Sequence, residues 1–342
     1  MRLWVTQNKG FTGALVLFAL LYLVYNMLHP RGFSAAVLVQ NANEITAIAF
    51  LAMAQTAPVI ARGLDLSVGA VMTLCACIGS YLLQGSLGQS MLGIVVTLAA
   101  GAAFGLMNGI IIVQGRLQPI IATIATGAIA IGLSLLLRPQ PGGDVDPDLS
   151  WALTNKLSSL AETYGWDGPW LDAIGPLAAL PIPLVILFGT AALVWLPIKR
   201  TVTGRAIYAV GSAEGAAFAS GLPIRRAKLL AYTLSGFFAG CAGVYLALQT
   251  ASGNADTVQA GAYTLNSIAA VVLGGTSLMG GTGGLMASVV GAMILRYISF
   301  YFRILDIDPL LQPLIEGMVL LAAVSAGALR TLSVKNMLEH FR

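Results

Sequence analysis

The chain has 342 residues, 57% of them hydrophobic and only 9% charged, with 18 Lys and Arg against 14 Asp and Glu. A soluble domain carries about 25% charged residues, so this composition excludes an ordinary water-soluble fold and leaves the bilayer as solvent for the apolar mass. Most basic residues stand in short gaps between apolar runs, the mark of a polytopic membrane protein with a readable orientation.

Runs of about 17 to 25 apolar residues suffice to cross hydrocarbon as helices. They occur at 11–28, 44–61, 67–84, 91–113, 119–138, 178–198, 227–249, 263–279, 283–302 and 309–326. The expected fold is all-α, with about ten transmembrane helices in one domain over residues 1–342. With the N-terminus inside, Arg62, Arg116, the basic residues of 199–228 and those near both ends share one side. Only Arg31, Arg138, Lys156 and Arg303 lie opposite, and Arg296 falls within a span. Such a bias marks the cytoplasmic face, which places both termini there.

The first span follows Arg2 and Lys9 as a secretory signal would. Its apolar stretch is longer, however, and Tyr25-Asn26-Met27-Leu28-His29 offers no small-residue cleavage site, so it reads as an uncleaved helix. Cys75, Cys77 and Cys241 fall inside spans and read as buried small apolar residues. His29 and His340 are isolated, which points away from a metal site.

After the fifth span comes an outer loop, 139–177, opening on Pro139-Gln140-Pro141-Gly142-Gly143 and carrying Asp144, Asp146 and Asp148. Leu153, Leu157, Leu160 and Tyr164 recur there at helical spacing opposite Asn155, Ser158, Ser159 and Glu162. Two readings stay open: a short helix lying on the membrane with Trp151, Trp166 and Trp170 at headgroup level, or an ordered loop packed on neighbouring spans. The largest cytoplasmic gap, 199–228, is also the most basic. Ser212 is placed to cap a short helix over 213–220, Glu214 suits its positive end, and Gly221 with Pro223 stops it. Ala213, Gly215, Ala216, Ala217 and Ala219 give that helix a surface of small side chains.

Gly63-Leu64-Asp65-Leu66-Ser67-Val68-Gly69 resembles the Gly-x-Asp-Leu-Ser-Val-Gly signature of bacterial ABC importer permeases of the ribose/galactose/xylose class, which includes autoinducer-2 and galactofuranose importers. Further matches follow in order: Asn108-Gly109, Pro119-Ile120-Ile121-Ala122-Thr123, Thr203-Gly204-Arg205-Ala206-Ile207-Tyr208-Ala209-Val210-Gly211, Ala216-Ala217-Phe218-Ala219-Ser220-Gly221, and Leu273-Gly274-Gly275-Thr276-Ser277-Leu278-Met279-Gly280-Gly281. The resemblance spans residues 45–325. It departs from the family at Ile131-Gly132, where Arg-Gly is usual, and at Arg62, where a second Gly is frequent.

The resemblance implies an inner-membrane permease subunit that takes sugar from a periplasmic sugar-binding protein. It further implies a separate cytoplasmic ABC ATPase, which uses ATP with Mg, and a second permease subunit forming a homodimer or heterodimer. Loop 199–228 would then couple the permease to the ATPase through Arg205, Ser212, Glu214, Ala217 and Gly221. The chain has no Gly-x-x-x-x-Gly-Lys-Ser/Thr segment to hold nucleotide phosphates and no histidine-based catalytic set, so neither a bound cofactor nor enzymatic activity is expected. Membrane lipid is an expected partner; nucleic acid is not.

Most of the 39 glycines read as close-packing positions between helices. Gly274-Gly275 and Gly280-Gly281 instead bracket Thr276-Ser277 as a turn. Gln55, Asn108, Thr123, Thr126, Ser134, Asn266 and Ser267 are uncharged polar residues within spans, suited to a path for a neutral polyhydroxylated solute. Thr and Ser there can equally bond their own helix, and the Asn residues can equally bond between helices. Asp65 stands where its carboxylate caps the Ser67 or Val68 N–H at the start of span three.

Five spans on each side of the outer loop run in opposite senses, which allows an inverted 5+5 arrangement. Arg296 and Glu316 fall at similar depth in the last hairpin. Either they pair, or Arg296 snorkels outward while Glu316 faces a water-filled cavity. Two rival functions remain: a permease for nucleosides or branched-chain amino acids, and an autonomous secondary transporter.

Overall fold

The computed structural model describes residues 9–166, 168, 173, 175–319, 321, 322 and 325. Helices α1 (Lys9–Leu28), α2 (Ala35–Ile60), α3 (Val68–Leu82), α4 (Leu87–Gln114) and α5 (Pro119–Leu137) precede the outer loop. That loop contains α6 (Pro147–Thr154) and α7 (Leu157–Thr163). There follow α8 (Ile182–Arg200), α9 (Val202–Ala219), α10 (Ile224–Thr250), α11 (Thr257–Leu273) and α12 (Leu285–Ile304). A short 3-10 turn at Pro309–Leu311 leads into helix again over 312–319, and the tenth expected span runs beyond the described residues. The described structure is all-α. Seven of its helices are long and apolar enough to cross a membrane, while α3 and α11 are apolar but shorter, at 15 and 17 residues.

Several boundaries differ from the hydropathy reading for local reasons. α2 begins at Ala35 rather than 44, because Ser34 Oγ accepts the Val37 N–H at 3.3 Å and the polar residues of its first turns find partners. Asn43 Nδ2, for example, donates to the Thr154 carbonyl at 2.7 Å. α11 covers Thr257–Leu273 rather than 263–279: Asp256 caps Gln259 N–H at 2.9 Å, and Gly275, at φ 90°, stops the far end. α4 gains a capping box in which Ser86 and Gln89 satisfy each other's backbone N–H.

α10 lies at the centre, packed by α2, α3, α4 and α9. Its burial follows from this position: 72% of its apolar window is covered, against 17% for α1. The contact with α4 is made by backbone. Gly101 and Gly105 face Gly236 and Gly240 so closely that a methyl group at Gly105 would strike the Tyr232 carbonyl, and one at Gly236 the Gly101 carbonyl. α1 instead leans on α12 through aromatic rings, Tyr25 and Tyr297 meeting edge-on with centroids 5.2 Å apart.

The outer loop is packed rather than laid flat. Asn155, at φ −102° and ψ −169°, breaks the helical pattern expected through Leu153–Tyr164 into α6 and α7. Asp146 caps α6, and Ser150 Oγ donates to the Leu248 carbonyl of α10, pinning the loop to the bundle. Trp151 and Trp166 are exposed, whereas Trp170 lies outside the described residues. Cys75, Cys77 and Cys241 are buried and free.

Candidate functional site

The signature segment Gly63–Gly69 begins where α2 ends. Pro58 lacks the N–H that would continue the helix ladder, and Arg62 turns the chain with a left-handed φ of 65°. Gly63 N–H then donates back to the Pro58 carbonyl at 2.9 Å. A side chain at Gly63 would collide with the Tyr232 hydroxyl, so glycine is required there by proximity.

The segment is fastened by side chains from four helices. Asp65 is buried, with Oδ1 accepting from Ser67 N–H at 3.0 Å and Ser67 Oγ at 2.5 Å, and Oδ2 accepting from Ser235 Oγ of α10 at 2.8 Å. Asn108 of α4 donates to Ser67 Oγ at 2.8 Å. Thr123 of α5 accepts the Leu66 N–H at 3.0 Å, and Thr264 of α11 accepts the Gly69 N–H at 3.1 Å. The carboxylate beside the first turn of α3 also complements that helix's positive end. Removing one partner from such a buried set leaves the other unsatisfied, at about 1–3 kcal/mol.

The seven pathway candidates are not gathered at one place, and Ser134 bonds the Ala130 carbonyl of its own helix. Asn108 and Thr123 meet at the signature segment. Thr126 and Ser267 bond carbonyls of their own helices, Ala122 and Thr264. Asn266 donates to Glu316 Oε2 at 3.0 Å. Gln55 is fully buried, and neither its Nε2 nor its Oε1 has a hydrogen-bond partner. Ser235, Tyr232 and Thr264 complete the arrangement around Asp65, and hydropathy alone offers no signal for them.

The charged pair expected between Arg296 and Glu316 is replaced by two separate clusters. Arg296 Nη2 meets Glu44 Oε2 of α2 at 3.4 Å, and Arg303 engages both oxygens of the same carboxylate. Glu316 is held by neutral donors: Asn266, Ser299 Oγ at 3.1 Å and Gln312 Nε2 at 2.7 Å. α2 packs beside α12, and Glu44 on it reaches Arg296 first.

The cytoplasmic gap also folds differently from the expectation. One helix, α9, covers Val202–Ala219, and its only non-helical residue is Ala213, at φ −158° and ψ 96°. The second piece therefore starts one residue later than expected, because Ser212 Oγ donates back to the Tyr208 carbonyl at 3.0 Å instead of capping forward. Glu214 pairs with Lys228 Nζ at 2.7 Å, Arg205 is exposed, and Gly221 closes the helix at φ 72°. Ala217 is buried beneath the helix, while Phe218 is 76% exposed.

α9 is wedged against the end of α2 and the Gly274–Gly284 turn. Gly281 N–H donates to the Ile60 carbonyl at 2.9 Å, and a methyl at Gly211 would strike that same oxygen. Tyr208 donates its hydroxyl to the Gly283 carbonyl at 3.2 Å, and burial pushes its phenol up to about 12, which keeps the donor proton in place. α9 is thus in backbone contact with the residues that lead into the Asp65 segment.

Comparison with known proteins agrees with this architecture. The chain is 30% identical to the ribose import permease protein of Haemophilus influenzae over 323 residues, covering 94% of this chain and 93% of that one. It is 33% identical to the autoinducer 2 import system permease protein of Enterobacter sp. strain 638, covering 95% and 88%, and 30% identical to the fructose import permease protein of Bifidobacterium longum, covering 77% and 73%. No solved structure matches the chain. Residues 37–324 match the model of one family, so that with its membrane-length helices the chain is a multi-pass membrane permease belonging to the family described as the branched-chain amino acid transport system / permease component.

Proposed function

We propose that this chain is a non-catalytic permease subunit of an ABC importer that passes a neutral monosaccharide across the bacterial inner membrane by alternating access. A separate ATPase supplies the energy from ATP with Mg, a periplasmic sugar-binding protein delivers the solute, and a second permease subunit, identical or different, completes the path. The relatives named for ribose and fructose import support the sugar class. The observation that carries it is the neutrality of the buried groups around α10: an amide, a phenol and hydroxyls, with the Asp65 carboxylate already engaged by Ser67 and Ser235. A zwitterionic amino acid needs charged partners that this set does not offer.

Vesicles containing the permease, its ATPase and its binding protein should accumulate labelled monosaccharide saturably and only with ATP, and the permease alone should accumulate none. Saturable uptake by the permease alone, or uptake of leucine in place of sugar, overturns the reading. The exposed Phe218 is the anchor expected to seat in the ATPase, since buried aromatic knobs dominate such contacts. Phe218→Ala should therefore leave the protein in the membrane yet lower uptake and ATPase stimulation together by about tenfold.

A further inference from the structure

Three buried polar groups have no internal explanation. Gln55 leaves both amide atoms unpartnered, Asn108 leaves Oδ1, and Tyr232 leaves its hydroxyl. Their residues are 0%, 0% and 2% exposed. Polar atoms taken out of water without a partner raise the free energy of the conformation that buries them, and closely packed helices contain few such atoms.

The three stand at similar depth in the bundle. Gln55 stands five residues before the end of α2 at Ile60, Asn108 six before the end of α4 at Gln114, and Tyr232 eight after the start of α10 at Ile224. At the helical rise these are depths of about 7 to 12 Å from the cytoplasmic helix ends. α2 and α4 both pack on α10, and Asn108 and Tyr232 flank the glycine seam between α4 and α10, one turn beyond Gly105 and one turn before Gly236. The other unpartnered buried atoms among the described residues, Ser90 Oγ and Arg296 Nε, stand toward the opposite helix ends. The end of α2 is also its weakest stretch, with Pro58 interrupting the ladder and Arg62 in a left-handed turn against α9.

We infer that Gln55, Asn108 and Tyr232 line an inner vestibule that is closed in this conformation, where they are buried, and that fills with water and solute when the permease opens to the cytoplasm. The inference rests on the importer reading above. The vestibule takes an uncharged, hydroxyl-rich solute, because amide and phenol each donate and accept while adding no fixed charge. Burying these groups without partners disfavours the closed state, so closure is held by other contacts, among them the close approach of Gly211 on α9 to the Ile60 carbonyl.

The test has two arms. In the complete importer, Cys75, Cys77 and Cys241 are replaced by Ala and uptake is checked. Gln55→Cys, Asn108→Cys and Tyr232→Cys are then probed with a small water-soluble thiol reagent from the cytoplasmic side, in nucleotide-free, ATP-trapped and turnover conditions. Ala49→Cys and Ala239→Cys, buried apolar positions on α2 and α10, serve as controls. If the open state goes from a minor to the dominant population, the three test positions should label about tenfold faster in one nucleotide condition, with the controls unlabelled throughout. Labelling absent in every condition, or no faster than the controls, overturns the inference.

The second arm needs only the purified full chain. Gln55→Leu removes the unpartnered amide at similar volume and should raise the thermal midpoint by roughly 2–4 °C, whereas a lower midpoint means the amide is satisfied and the inference fails. An importer whose cysteine-free form takes up no sugar while its parent also takes up none counts against the importer reading, and the midpoint still decides on the vestibule.

Discussion

Glu44 carries more of the outer half of the bundle than its position near the start of a hydrophobic run suggests. It answers two guanidinium groups at once, Arg296 within α12 and Arg303 near its end. A double-mutant cycle separates this arrangement from the alternative. Arg296→Met and Glu44→Leu should each lower the yield of folded protein and together lose less than their sum, while Arg296→Met with Glu316→Leu should be additive. Fluorescence-detected size exclusion of the tagged chain reads both cycles.

Arg62 is one of four described non-glycine residues in the left-handed region, with Arg116, Ala251 and Asp306. A left-handed φ of 65° is unfavourable for any side chain with a Cβ, so Arg62→Gly should stabilise the chain by about 0.5–1 kcal/mol, seen as a rise in thermal midpoint. A basic residue there is what the charge bias of the sequence leads one to expect for a cytoplasmic turn.

At the scale of elements, the long apolar helices were legible from hydropathy because lipid requires continuous apolar runs, and α1, α3 and α5 begin and end within three residues of the expected spans. α2 and α11 were misplaced for opposite reasons. Polar residues inside a helix look like a loop until their partners are known, as with Asn41 and Asn43, whereas the glycine turn after Leu273 looks apolar enough to be membrane. The Asp65 cap on Ser67 N–H could be anticipated from local chain geometry, but the contribution of Ser235, 170 residues away, could not.

The break in α9 follows the same rule. Ser212 has a capping side chain but spends it on the preceding turn, which leaves Ala213 in the cap position with nothing to offer the next N–H groups. Ala213→Asp should supply that acceptor, stabilise the second piece by about 1 kcal/mol and slow amide exchange at Gly215 and Ala216 about fivefold. Unchanged exchange would mean those N–H groups are already satisfied.

For the whole molecule, sidedness is the property on which the rest depends. Single cysteines placed at Phe218 and at Asp146 in the cysteine-free chain should react with an impermeant reagent from opposite faces of the membrane, Phe218 from the cytoplasm. Reaction of both from one face would require a different threading of the spans.

The contact between α1 and α12 has a consequence for how the protein is made. α1 leaves the ribosome well before its principal partner, which begins at Leu285. At about 5–20 residues per second, α1 waits roughly 10–50 s in the bilayer with no helix to lean on. A helix in that situation must be comfortable in lipid on every side, and α1 is, with a mean hydropathy of 2.0 and no charged residue between Lys9 and its end at Leu28. Its tyrosines and phenylalanine, tolerable among acyl chains, then become the surface that recognises the late arrival. Integration of α1 and its docking are therefore separate events in time, and the aromatic contact closes only after α12 has been made.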